Sequence, residues 1–79
     1  MLHDLKTLPK YFEAVKEGTK TFEVRKDDRD FQVEDYVNLR EWDGEYTGNS
    51  FVRQIVYILG RNEDEKMYVA NGYVILGIK

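Results

Sequence analysis

The residues best suited to chemistry in this chain lie in segment 18–26, which has the sequence GTKTFEVRK. In an extended strand, alternate side chains point to opposite faces, so Thr21, Glu23 and Arg25 share one face, with neighbours about 7 Å apart. A hydroxyl, a carboxylate and a guanidinium in one row offer both donors and acceptors to a polar ligand. Such a row can read the edge of a polar ligand.

The two apolar residues between them, Phe22 and Val24, should then point into the core. The same pattern also fits a simpler interpretation, in which the polar row is a solvated strand face with a cross-strand ion pair. Exposed ion pairs of this kind are common and contribute about 0 to 1 kcal/mol. The strand alone leaves both interpretations open.

A helix must precede this strand, because Leu8, Phe12 and Val15 recur at the spacing of an amphipathic helix. Pro9 suits the first turn, where the backbone N–H groups have no helical partner, and a glycine at position 18 suits the C-terminal cap. The spacing predicts a helix from Pro9 to Glu17.

Alternating or continuous apolar patterns predict five strands. They span about Leu2–Lys6, Lys20–Lys26, Asp35–Asp43, Phe51–Leu59 and Tyr73–Ile78. Five strands with one main helix, and heavy use of β-branched and aromatic residues, favour an α+β, mainly β domain. We expect a small mixed β-barrel rather than a βαβ sandwich.

The third and fourth predicted strands differ in their patterns. In the third, Val37 and Leu39 share one face, while Arg40 and Trp42 share the other, where they can stack on each other. Asp43-Gly44 predicts a hairpin turn after it, and Gly48-Asn49 predicts another bend. The strand Phe51–Leu59 has apolar residues on both faces, including Val52 and Val56, which predicts a central strand enclosed on both sides.

Length and composition limit what the chain can be. Its 79 residues fit a single domain, spanning 1–79, and its net charge of −3 opposes non-specific attraction to nucleic-acid phosphates. The absence of cysteine excludes disulfides and thiolate metal sites and suits a reducing cytoplasm, where we expect the protein to reside. We expect no signal peptide and no interaction with a membrane, because no apolar run approaches about 20 residues.

No metal or cofactor is expected. His3 is the single histidine, and we expect it to be a hydrogen-bonded wall residue rather than a ligand or base. The acidic run Asp27–Asp30 lacks the alternating ligands and closing glutamate of a calcium loop, so we interpret it as a turn.

Several short motifs in this chain occur in an order that resembles the ASCH (activating signal cointegrator homology) domains, relatives of the RNA-binding PUA domains. The first is Gly-x-Lys-Thr-x-Glu-x-Arg, and the later ones are DDRDFQV at 27–33, LREWD at 39–43, YTG at 46–48 and GYVILGI at 72–78. Together they resemble a small bacterial and phage branch of that superfamily over nearly the whole chain.

The resemblance implies a PUA-like barrel with a helix beside a cleft, and a cleft that binds RNA or a nucleoside-like molecule. The cleft residues it implies are Lys20, Thr21, Glu23 and Arg25, with Arg29, Arg40, Trp42 and Tyr46 as further contributors. In that arrangement, aromatic side chains stack on bases and basic side chains hold phosphate. The alternative for Trp42 is a partly buried packing residue.

Two other functions remain open. One ASCH branch contains amidohydrolases that remove an acyl group from N4-acylated cytidine with a threonine nucleophile placed three residues after the lysine. Here that position is Glu23, and Thr21 lies about 7 Å away along the strand, too far for attack at about 3 to 3.5 Å. A hydrolase would need Glu23 to activate a water, with Lys20 stabilising charge. The last alternative is a protein-interaction module with Trp42, Tyr46 and Phe51 as an apolar patch.

Overall fold

The computed structural model describes all of residues 1–79 and contains five strands and one α-helix. In chain order the elements are β1 (Leu2–Thr7), α1 (Pro9–Lys16), β2 (Phe22–Lys26), β3 (Tyr36–Trp42), β4 (Tyr46–Leu59), a 3₁₀ turn (Glu65–Met67) and β5 (Tyr73–Ile78). The strands form one mixed sheet in the order β1-β3-β4-β5-β2, in which only β1 and β3 are parallel. The predicted mainly β domain with one helix is confirmed, and no helix is long and apolar enough to cross a membrane.

The sheet is curled but its hydrogen-bond ladder is open, because β1 and β2 are its two edges and do not pair with each other. Side chains connect these edges instead. Arg25 Nη2 donates to Thr7 Oγ1 at 3.3 Å, and Arg29 Nη1 donates to the Asp4 carbonyl at 2.8 Å. The structure therefore shows a curled sheet whose two edges are connected by side chains. It does not show the closed barrel that the sequence predicts.

The core fills the concave side of the sheet. Alternate residues of β1, β3 and β5 point inward, and the apolar stripe of α1 covers one end of the sheet, as the period of each element requires. The fully or nearly fully buried apolar residues are Leu5, Phe12, Val15, Phe31, Val37, Leu39, Ile55, Val74, Leu76 and Ile78. The core is thus continuous from α1 to the last strand.

Both predicted ends of α1 are confirmed to within one residue. Pro9 occupies the first turn, and Gly18 adopts φ +86° just after the helix. The Ala14 carbonyl then accepts hydrogen bonds from the Thr19 and Lys20 amides, both at 3.0 Å, which satisfies the helix end. This cap reverses the chain and delivers Lys20 to the start of β2.

The predicted orientation of β2 is wrong. Phe22 and Val24 are 45% and 55% exposed, whereas Glu23 between them is only 3% exposed. The Glu23 side chain therefore points to the concave side of this edge strand, and those of Phe22 and Val24 do not. The physical reason is that Glu23 is neutralised there by two neighbouring cations, as described below.

β4 is central in the sheet, as predicted, but it is not enclosed on both sides. Val52 and Val56 are 47% and 45% exposed, while Ile55 is fully buried. A bulge between Ile55 and Tyr57 reverses the alternation, so that Ile58 again packs against the core. The bend predicted at Gly48-Asn49 is likewise an irregularity inside this continuous strand, where Gly48 has φ +94°.

His3 is a buried wall residue, in agreement with the prediction. Its Nε2 lies 2.8 Å from Asp35 Oδ2, and its ring packs edge-on against Phe31 with the ring centres 4.7 Å apart. Asp35 also accepts hydrogen bonds from the Gln32 amide and the Met1 amino group, each at 3.1 Å. The hydrogen bond from His3, followed by those other donors, lowers the pKa of Asp35 from 3.8 to about 2.

Asp35→Asn should therefore destabilise the protein in a pH-dependent way. Because the folded state favours ionised Asp35, its contribution is fully present above the ordinary pKa of 3.8 and is lost as the pH falls towards about 2. We expect the difference in melting temperature between wild type and Asp35→Asn to be constant from pH 7 to about 5 and to shrink between pH 4 and 2. Asp64→Asn, at a carboxylate that makes no capping hydrogen bond, is the control. A difference that stays constant down to pH 2 would contradict this assignment.

Glu34→Gly should stabilise the protein, because Glu34 is the one non-glycine residue with a positive φ, +82°. Its amide donates to the Ile55 carbonyl at 2.8 Å, which holds the backbone in this conformation. Glycine removes the steric cost, and after its extra unfolded-state entropy the net gain should be about 0.5 to 1 kcal/mol. Chemical denaturation measures it. Glu17→Gly, at φ −74°, is the matched control and should destabilise; a loss of stability at both positions would refute the strain argument.

Candidate functional site

An open cleft of about 510 Å³ lies between the β1–α1 junction and the edge strand β2. Three cations line it, Lys6, Lys20 and Arg25, together with the single carboxylate of Glu23. These four side chains give the cleft a net charge of +2, whereas the whole chain carries −3. The cleft is therefore a local cationic site on an acidic protein.

Glu23 is the centre of the polar cluster. Its Oε2 accepts a hydrogen bond from Lys20 Nζ, and its Oε1 accepts from Arg25 Nη2 at 2.7 Å and from Arg25 Nε at 3.2 Å. Lys20 Nζ also donates to the Phe22 carbonyl at 2.6 Å. Because both carboxylate oxygens are occupied and the side chain is buried, Glu23 holds the two cations in fixed positions at the cleft wall.

Thr7 closes one end of the cleft. Its hydroxyl accepts from Arg25 Nη2 at 3.3 Å and donates to the Leu5 carbonyl at 3.0 Å. This chain of hydrogen bonds ties β2 to β1 across the open edge of the sheet. The cleft is accordingly a wedge, narrow at Arg25 and open towards α1.

The open end of the wedge is apolar and aromatic. Leu8, Tyr11, Phe22 and Val24 line it and are 40% to 55% exposed. Lys20 Nζ lies 5.0 Å from the centre of the Phe22 ring and 5.5 Å from that of Tyr11. Two accessible aromatic rings thus flank a fixed cation, an arrangement suited to a planar ligand that carries negative charge.

The structure brings together three of the four residues predicted on β2, namely Lys20, Glu23 and Arg25. Thr21 does not line the cleft; it is exposed, and its carbonyl accepts from the Ile78 amide at 2.9 Å. Arg29 lies beyond the narrow end, where it binds the Asp4 carbonyl.

The more distant predicted residues are only partly connected with the cleft. Trp42 lies under Lys6, whose Nζ is 4.4 Å from the ring centre, so it supports a cleft residue. Arg40 stacks on Tyr46, with its Cζ 3.8 Å from the ring centre, and neither lines the cleft. Arg40 thus stacks on Tyr46 and not on Trp42, which the sequence offered as one alternative, and an irregularity in the β3–β4 pairing lies between Arg40 and Trp42.

The aromatic residues of the predicted interaction patch do not form a continuous apolar surface. Lys6 covers Trp42 and Arg40 covers Tyr46, as described above. Phe51 packs on Phe12, with ring centres 4.7 Å apart, and Arg53 lies over its ring at 4.5 Å. Each ring is thus partnered within the chain.

Sequence reasoning missed six cleft residues, which are Lys6, Thr7, Leu8, Tyr11, Phe22 and Val24. Apolar character predicts a core position for Phe22 and Val24, and the helical spacing predicts one for Leu8. For two of them the position in the element indicates an accessible side chain. Lys6 alternates with the inward residues of β1, and Tyr11 lies beside Phe12 on the outer side of α1.

Glu23→Gln should destabilise the protein by about 3 kcal/mol, because it leaves two partly buried cations beside each other without their counter-charge. Urea denaturation measures the change. Glu45→Gln, at a glutamate in the exposed hairpin, is the control and should change the stability by less than about 0.5 kcal/mol. Equal stabilities of the Glu23 variant and wild type would show that this ion-pair cluster is not structural.

Comparison with known proteins assigns the chain to a family. The family model described as "Domain of unknown function (DUF3850)" matches residues 2–78. The chain is also similar to a protein of Escherichia phage P2 described as "Uncharacterized 12.9 kDa protein in GpA 3'region", with 35% identity over 69 residues. The match covers 86% of this chain but 63% of the phage protein, so the chain spans less than two thirds of that relative. Because the family model extends from the first strand to the last, this protein belongs to the DUF3850 family.

Proposed function

We propose that the protein binds single-stranded RNA or a nucleotide-like ligand in the cleft between β1, α1 and β2. The observation that carries the proposal is a cationic cleft with accessible aromatic rings on a protein whose overall charge is negative. General attraction to phosphate is weak for such a protein, so binding depends on this local site.

Lys6 is the side chain best placed to hold a phosphate. It forms no ion pair with a carboxylate, and it projects from β1 over the Trp42 ring. Lys20 and Arg25, by contrast, are already paired with Glu23. They add to the positive potential of the cleft, and Lys6 provides a cation free to pair with the ligand.

Tyr11 and Phe22 supply the stacking surface. Both rings are exposed at the open end of the cleft, at 40% and 45%. Stacking of a base on an aromatic side chain contributes about 1 to 3 kcal/mol and tolerates any base. A nucleotide placed here has its base against the rings and its phosphate near Lys6.

We also propose that the family lies within the ASCH and PUA-like superfamily, with the curled sheet corresponding to its barrel. Two features support this: Lys20, Glu23 and Arg25 of the Gly-x-Lys-Thr-x-Glu-x-Arg segment line the cleft, and the two sheet edges meet through Arg25 and Thr7. The helix lies beside the same cleft through Leu8 and Tyr11.

The geometry of Glu23 favours binding over hydrolysis. A general base must reach the water that it deprotonates, whereas Glu23 is 3% exposed and three of its four lone-pair positions accept hydrogen bonds from Lys20 and Arg25. Release of cytidine from N4-acetylcytidine by the purified protein, lost in Glu23→Gln at a temperature where that variant is folded, would favour the hydrolase instead.

Lys6→Ala and Tyr11→Ala should weaken binding in distinguishable ways. Binding of a fluorescein-labelled uridine octamer is measured by anisotropy at several salt concentrations. Removing Lys6 should reduce the slope of log Kd against log salt by about 0.7, which is the value for the loss of one phosphate contact on a single strand. Removing the Tyr11 ring should cost about 1 to 3 kcal/mol and leave the slope unchanged.

Lys66→Ala is the matched control, since Lys66 lies in the 3₁₀ turn and lines none of the surface depressions. It should bind as the wild type does. If Lys6→Ala and Lys66→Ala have the same affinity and the same salt slope, the cleft is not the nucleic-acid site.

A further inference from the structure

The free edge of β2 carries unused main-chain hydrogen-bonding groups. In an antiparallel pair, the residues that bond to the partner strand alternate with residues whose N–H and C=O both point the other way. The Ile78 amide donates to Thr21 at 2.9 Å, and the Asp27 amide donates to Gly72 at 2.8 Å. Odd-numbered residues of this segment therefore bond to β5, and Phe22 and Val24 present their main chains to the cleft.

A side-chain contact supports this assignment. Lys20 Nζ donates to the Phe22 carbonyl at 2.6 Å from the cleft side. The Phe22 carbonyl is thus occupied, whereas the N–H and C=O of Val24 have no partner within the protein. One adjacent donor and acceptor are available on this wall.

The opposite edge of the gap is arranged in the same way. The Tyr36 amide donates to the Met1 carbonyl at 2.8 Å, which places the bonding residues of β1 at odd numbers. Arg29 reaches the Asp4 carbonyl from the gap, as this alternation requires. Lys6 therefore also turns its main chain towards the cleft.

An added β-strand does not fit this gap along its whole length, because Arg25 already connects β2 to Thr7 and Arg29 connects to Asp4. Next to the contact between Arg25 and Thr7, the N–H and C=O of Val24 remain without partners within the protein. A small planar group that needs one donor and one acceptor fits there better than an extended peptide.

On the basis of the proposed function, we infer that the main chain of Val24 reads the edge of the bound base, and that the base is uracil. Uracil has a ring N–H next to a carbonyl oxygen, and these two groups match the Val24 C=O and N–H. The second carbonyl of uracil then faces a wall that carries Lys20 and Arg25. Guanine and adenine would each place an amino group near the same cations.

The ligand-side test compares a uridine octamer with an octamer of N3-methyluridine, each labelled with fluorescein. Methylation removes the ring N–H and leaves the phosphates and the stacking surface. The methylated octamer should bind about 5- to 100-fold more weakly, with the same salt slope. Equal affinities would overturn the inference and leave the proposed function intact, whereas no binding of either octamer would overturn the proposed function itself.

The protein-side test is Val24→Pro, which removes the N–H donor at an edge position that tolerates proline. Val24→Ala, which keeps the donor, and Lys26→Pro, on the same edge but outside the cleft, are the controls. Val24→Pro keeps the Val24 C=O, which accepts from the ring N–H, and loses the N–H that donates to the base carbonyl. Among variants with cooperative thermal transitions, only Val24→Pro should bind the uridine octamer about 5- to 100-fold more weakly than the wild type. Wild-type affinity for the uridine octamer in folded Val24→Pro would refute the assignment to Val24.

Discussion

The ion-pair cluster around Glu23 is the constraint on which the cleft depends. A carboxylate that is 3% exposed is costly to bury unless cations and hydrogen bonds compensate for the lost hydration. Lys20 and Arg25 supply that compensation, one at each side of the carboxylate. Because Glu23 must then point to the concave side of β2, its neighbours Phe22 and Val24 must point outward. The aromatic wall and the fixed cations of the cleft are two consequences of one buried charge.

The same constraint explains how a protein with a net charge of −3 can carry a selective cationic site. The acidic residues on the rest of the surface limit non-specific binding to phosphate, and the fixed cations concentrate positive potential at one end of the gap between β1 and β2. In the proposed binding mode, a ligand gains affinity by entering the wedge. There Lys6 and the aromatic rings would provide affinity, and the main chain would provide specificity.

Much of the architecture could be predicted from the sequence, because local signals are strong where the chain begins and ends its elements. Pro9 and Gly18 define α1, and the alternation of Val37 and Leu39 defines the inner face of β3. Lys20, Glu23 and Arg25 could be grouped for the same reason, since they lie within six residues on one strand face or next to it. Local spacing was sufficient for each of these.

The errors share a cause, which is that hydrophobic periodicity assigns apolar residues to the core. On the edge strand β2, the buried carboxylate reverses that rule for Phe22 and Val24, and in β4 a bulge next to Val56 changes the alternation. Cleft residues from other segments could not be predicted either, because it is the curling of the sheet that brings Lys6 and Tyr11 close to β2. Such contacts depend on tertiary geometry, and local sequence spacing does not indicate them.

The most direct test of the account is a titration of ¹⁵N-labelled protein with a uridine octamer, followed through the backbone amide signals. If the cleft centred on Glu23 is the binding site, the largest shifts should fall on Lys6, Tyr11 and residues 20–25. Shifts grouped around Lys16 and Arg53, which line a separate depression on the other side of α1, would contradict it.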